Sequence, residues 1–97
     1  MQKAHLHAIK WAIAQGYTLY VWGDGEELDY KGNSYQSAKE AAEACDTAEI
    51  TLMEDGKQVG WFYVVNGLEP EELVSDYSAN EVGEAWQKAY NADCYPQ

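Results

Sequence analysis

The chain has 97 residues, 46 % apolar and 13 % aromatic, with 17 acidic side chains against six basic ones and a net charge of −11. That length sets one domain with a modest core. All six bases are lysine, which excludes a nucleic-acid reader built on arginine forks and disfavours docking on anionic membranes, while four Trp, eight Tyr and one Phe exclude a solvated acidic tail.

Residues 2–15 predict a helix: Leu6, Ile9 and Ile13 recur on one face, and Gly16 supplies the stop. Tyr17 to Trp22 reads as a short strand rich in aromatic and β-branched residues. The Gly23-Asp24-Gly25 cluster turns the chain, and Leu28 to Lys31 returns as its partner. Asn33 and Ser34 open a second helix whose inner stripe is Ala38, Ala41, Ala42 and Cys45.

Thr47 to Glu54, Asp55-Gly56 and Lys57 to Val65 predict a β-hairpin with a type I′ turn. A straight register from Glu54–Lys57 sets Leu52 opposite Val59, Ile50 opposite Trp61 and Ala48 opposite Tyr63, all on one face. Phe62 and Val64 then lie on the other. Asn66-Gly67 ends the strand, and Pro70 starts a short helix running to about Val74. Ser78 and Glu81 have capping-box spacing. Val82, Ala85, Trp86, Ala89 and Tyr90 form the stripe of a last helix, and residues 92–97 are expected to be a loose tail. The expected fold is α+β: a single domain over residues 1–97, in the order α-ββ-α-ββ-(α)-α. It has a mainly antiparallel four-stranded sheet of two hairpins, with helices packed on one face.

Enzyme chemistry finds little material here. His5 and His7 are an i, i+2 pair on different faces of their helix, so they are expected to be solvated or partly buried rather than joint metal ligands. Two distant cysteines have no zinc spacing. They read as free thiols of a reducing compartment, with a single Cys45–Cys94 bridge as the alternative. Phosphate-binding glycine loops and nucleophile elbows are absent from the sequence. Asp24 to Asp29 misses the calcium-loop pattern at its fifth and sixth positions, Leu28 and Asp29. Neither a cofactor nor a metal is expected. No run reaches the roughly 20 apolar residues of a bilayer-spanning helix. His5, His7 and Lys10 interrupt any signal-peptide core.

The acids carry the functional signal. The first twenty residues are +2 and the remaining 77 are −13. Asp24, Glu26, Glu27 and Asp29 crowd one turn, and Glu69, Glu71, Glu72, Asp76, Glu81 and Glu84 follow one another without a lysine between them. Unbroken like charge repels itself and costs stability. Helix dipoles account for Glu69, Glu71, Glu72 and Glu81, but not for Asp24 to Asp29. Carboxylates at i and i+2 on a strand, such as Glu27 and Asp29, stand about 6.5–7 Å apart on one face, a spacing suited to a row of anions standing in for phosphates. Tyr20, Trp22 and Tyr30 either lie exposed beside these carboxylates, where they stack on a partner's cations, or cover a second small cluster under the helices. The candidate partner-binding set is Asp24, Glu26, Glu27, Asp29, Tyr30, Glu54, Asp55, Glu69, Glu71, Glu72 and Asp76.

Chain length, acidity, the lack of arginine and the runs GYTLYVWGDGEELDY and GWFYVVNGLEPEELVSDYSANEVGEAW resemble small phage-encoded anti-CRISPR proteins. The likeness is to the acidic DNA-mimic kind that acts on type I-F surveillance complexes. It implies competitive occlusion in the host bacterial cytoplasm: a protein rather than nucleic acid as partner, with its basic DNA-binding groove filled and target DNA kept out. Alternative readings are a DNA mimic aimed at another DNA-binding enzyme, such as a restriction enzyme, or an accessory phage protein whose acidity serves solubility alone.

Overall fold

The chain is seen in a computed structural model describing residues 3–24 and 26–94; Gly25, the N-terminal pair and residues 95–97 of the expected tail lie outside it. Helix α1 spans Ala4–Ala14. It ends as a glycine stop should: Gly16 has a φ of 90°, Tyr17 N–H donates to Ala12 and Gly16 N–H donates to Ile13. Its inward face differs from the expected Leu6, Ile9 and Ile13. Ala4, His5, Ala8, Ile9 and Ala12 are buried, and Leu6 and Ile13 sit at the margin. Strand β1 is Thr18–Gly23 and β2 is Glu27–Gly32. Helix α2, Tyr35–Glu43, starts at Ser34, whose side chain accepts from Ser37 N–H, and buries Ala38 and Ala42. Strands β3 (Thr47–Glu54) and β4 (Lys57–Val65) flank Asp55-Gly56. Both turn residues have positive φ, as a type I′ turn requires.

The sheet has five antiparallel strands, in the order β2-β1-β3-β4-β5, rather than the four expected. Pro70–Glu72 makes only a single 3₁₀ turn, and Val74–Tyr77 is strand β5, paired with β4. A helix continued through Val74 would have left the outer edge of β4 unpaired. A four-residue strand with Ser75 and Asp76 exposed covers that edge without offering a long new one.

The register of β4 departs from the straight one. Glu54 pairs with Lys57 and Met53 with Gln58, but Leu52 pairs with Gly60, leaving Val59 as a bulge. Beyond it Ile50 faces Phe62 and Ala48 faces Val64, while Trp61 and Tyr63 fall opposite Thr51 and Glu49. Phe62 and Val64 are fully buried; Trp61 and Tyr63 lie on the opposite, helix-free face. Burying Trp61 and Tyr63 would have demanded partners for an indole N–H and a phenol, which Phe62 and Val64 do not need. Gly60 sits where a Cβ would come within 2.9 Å of Val82 and 3.1 Å of the Ser78 hydroxyl, so the bulge also lets the last helix pack close.

That helix, α3, spans Glu81–Cys94 and buries Gly83, Trp86 and Tyr90. Asn80, not Ser78, caps it: its side-chain oxygen accepts from Gly83 N–H at 3.0 Å. Ser78 instead accepts from Trp61 N–H and donates to Asn80. The expected tail begins too early, because α3 continues through Cys94. All three helices cover one face of the sheet around a single core in which Phe62 packs edge-on against Trp86 at 5.0 Å. If the bulge sets the inside, Phe62→Ala should cost about 3–5 kcal/mol in urea unfolding. Trp61→Ala should cost less than half as much; a straight register predicts the reverse order.

Candidate functional site: an acidic end of the sheet

Chain direction gathers the acids. β1 ends, β3 begins, β4 ends and β5 begins at the same end of the sheet, held together by backbone bonds from Asp24 to Thr47, Asn66 to Asp46 and Val65 to Leu73. Every connection at that end carries carboxylates. The β1–β2 turn supplies Asp24 and Glu26, and the start of β2 supplies Glu27 and Asp29. The α2–β3 loop supplies Asp46, and the β4–β5 connection supplies Glu69, Glu71 and Glu72. All eight side chains are exposed. From β2 to β5 this edge runs roughly 19 Å at ordinary strand spacing. Lys3 stands on its helix side, in a cleft with Leu68 and Pro70.

The local geometry is built rather than loose. Asp24 takes a φ of 52° and accepts a hydrogen bond from the Thr47 hydroxyl at 3.4 Å. Asn66 donates its amide to the carbonyls of Ala42 and Cys45, tying the end of α2 to the end of β4. A bulge at Asp29 interrupts the β1–β2 ladder, so Glu27 and Asp29 are not the straight i, i+2 row expected of them. Both nevertheless line one shallow cleft with Gly23, Asp24, Glu26 and Cys45.

The other sequence candidates fall elsewhere. Glu54 and Asp55 occupy the β3–β4 turn, at the opposite end of the sheet. Asp76 lies on the edge strand, opposite Tyr63. The bulge turns Tyr30 toward the helices, where its hydroxyl accepts from Ser34 N–H at 2.8 Å and its ring packs against the core. Tyr30 thus belongs to the cluster under the helices, whereas Tyr20 and Trp22 lie on the open face. Asp46 was missed because a lone acid after a helix gives no pattern; only the strand order brings it to the others.

The titratable groups of the interior hold helices together. His5, 1 % exposed, contacts Glu43 of α2 at 2.7 Å, and Lys39 reaches the same carboxylate at 3.3 Å. Burial pushes the His5 pKa below its usual range, only partly offset by Glu43, so the ring is neutral and donates from Nε2. Partial burial works against the Glu43 carboxylate, but hydrogen bonds from His5 and Lys39 hold its pKa below the usual carboxylate range. His7, 5 % exposed, donates from Nε2 to Asp93 at 2.7 Å and accepts the Trp86 indole N–H on Nδ1 at 3.1 Å. Both histidines are thus buried, more deeply than expected, and both nitrogens of His7 are already engaged. Cys45 and Cys94 are free thiols. Burial, then Asp24 and Asp29 beside it, raise the Cys45 pKa and weaken it as a nucleophile. Among the described residues no group of three His, Cys, Asp or Glu side chains is placed to hold a metal, and no helix is long and apolar enough to cross a membrane. No protein-family model, curated protein or solved structure matches the chain.

A His buried neutral stabilises the fold fully above its unfolded value near 6.5 and loses that contribution as pH falls toward its lower folded value. Thermal melts should therefore show Tm dropping between about pH 7 and 5, by roughly 4–8 °C for each kcal/mol lost. His5→Gln, which keeps a donor for Glu43 but cannot titrate, should flatten that dependence. An unchanged slope would contradict the neutral buried ring.

Proposed function

We propose that this protein is an acidic DNA mimic: it occupies the basic DNA-binding groove of a host protein complex and keeps target DNA out. The observation supporting this is the concentration of eight exposed carboxylates on one end of a rigid sheet. Each lies on a strand end or on a connection between elements rather than on a chain terminus. Duplex DNA presents about one charge per 1.7 Å of axis, and an edge roughly 19 Å long with eight anions approaches that density on one side. Such a field speeds encounter with a cationic groove. The protein acts by occupancy, without chemistry and without a cofactor, in the host cytoplasm. The type I-F CRISPR surveillance complex is the first target to test, because chain length, acidity and the lack of arginine are like those of small inhibitors of that assembly; a restriction enzyme is the next.

The test is a gel-shift competition between this protein and target duplex for the purified surveillance complex. Wild type should displace DNA, with an affinity that falls steeply as salt rises from roughly 50 to 200 mM. Reversal of Asp24, Glu26, Glu69 and Glu71 to lysine should weaken displacement about ten-fold or more. The same change at Glu40 and Glu84, exposed acids on α2 and α3, should cost far less. Glu43 is unsuitable as a control because it holds His5. Equal loss from both sets would contradict the placement, and displacement indifferent to salt would contradict the mechanism.

A further inference from the structure

The sheet face turned away from the helices carries four aromatic rings and two carboxylates, Glu49 and Asp76. Cross-strand pairing sets Leu28, Trp22, Glu49, Tyr63 and Asp76 in one row across all five strands, and Lys31, Tyr20, Thr51 and Trp61 in the next. Neighbours in a row are about 5 Å apart. The four rings are half-buried and none of them joins the core cluster under the helices. They are nonetheless ordered by polar contacts. The Trp22 indole N–H donates to Thr51 at 3.1 Å, and the Thr51 hydroxyl donates to Glu49 at 3.4 Å. Thr51 itself is only 5 % exposed, so the rings lie down over it. Lys31 holds its ammonium 5.2 Å from the centroid of Tyr20, so a cation already rests on a ring of this face.

Half-buried rings set beside carboxylates offer flat stacking surface with anions at its edge, and charge selects the occupant. A second copy would set Glu49 and Asp76 against their own images, on chains carrying −11 each. Anionic lipid and nucleic acid meet the same repulsion. A cationic protein segment is complementary, and arginine fits better than lysine. Its planar guanidinium stacks flat on a ring while its fork donates to the carboxylate beside that ring. We infer that the open sheet face is an arginine-docking surface, where guanidinium groups of a partner stack on Trp22, Trp61 and Tyr63 and bond to Glu49 and Asp76. This rests on the proposal that the partner is basic and adds to it a second contact, distinct from the acidic end. Residence and side-chain specificity come from this face, and long-range attraction from the acidic end.

The test is a ¹⁵N-resolved titration of the intact protein with hexa-arginine and hexa-lysine peptides at physiological salt. Hexa-arginine should bind roughly five-fold or more tightly than hexa-lysine and should shift the indole N–H signals of Trp22 and Trp61 while leaving Trp86, bonded to His7, in place. Trp22→Leu should erase most of that preference and Trp22→Phe should keep it, with the unmoved Trp86 signal reporting an intact fold. Equal affinities, with shifts confined to the acidic end, would overturn the docking face and leave the acidic-end reading standing. Neutralising Asp24, Glu26, Glu69 and Glu71 without effect on either peptide would instead overturn the acidic-end reading.

Discussion

One extra residue in β4 determines what this molecule shows to its surroundings. With Val59 bulged out, Phe62 and Val64 enter the core and Trp61 and Tyr63 leave it. Because side chains alternate along a strand, the choice is all or none beyond the bulge. It is supported from both sides. On the helix side Gly60 gives Val82 and Ser78 room to approach, and Phe62 meets Trp86. On the open side Thr51 receives the Trp22 indole under the neighbouring rings. The helix layer then completes the core with alanines, at Ala4, Ala8, Ala12, Ala38 and Ala42, which let α1 and α2 lie close to the sheet.

The polar contacts of the interior bind the three helices to one another. His5 joins α1 to α2 through Glu43, and His7 joins α1 to α3 through Asp93 and Trp86. Both rings are buried and spend their Nε2 atoms on hydrogen bonds to carboxylates. They explain why a strongly acidic protein keeps two histidines on its first helix, and why their chemistry is spent inside the fold. What is left for the surface is charge and aromatic area, on two adjoining regions: carboxylates at the strand ends, and rings with carboxylates on the open face. These two regions are the ones that the proposed function sets against a cationic partner.

Much of this architecture is legible in the sequence, for reasons that can be stated residue by residue. The Asp55-Gly56 turn and its two strands follow from local backbone preference, as do the Gly16 stop and the Ser34 cap. What was not legible depends on partners distant in the chain. The run from Trp61 to Val65 alternates equally well in either register, and only packing against Trp86 and Val82 decides between them; Gly60 within a strand was the local sign of a bulge. Val74 to Tyr77 is too short, with polar Ser75 and Asp76 at its centre, to announce a strand until the unpaired edge of β4 is known. Asp93 looks like tail until His7 is seen opposite it. Of the candidate acids, two turns that look equivalent in sequence, Asp24 to Asp29 and Glu54-Asp55, lie at opposite ends of the sheet, because strand order, not composition, sets which end a turn occupies.

The proposed function requires the carboxylates at one end of the sheet to act together against a basic groove. Carbodiimide labelling of the protein, free and bound to the surveillance complex, with each modified residue located by mass spectrometry, reads this directly. If the acidic end fills the groove, Asp24, Glu26, Asp46, Glu69, Glu71 and Glu72 become protected on binding while Glu54, Asp55, Glu81 and Glu84 continue to react. Protection spread evenly over both groups, or confined to the second, would contradict it.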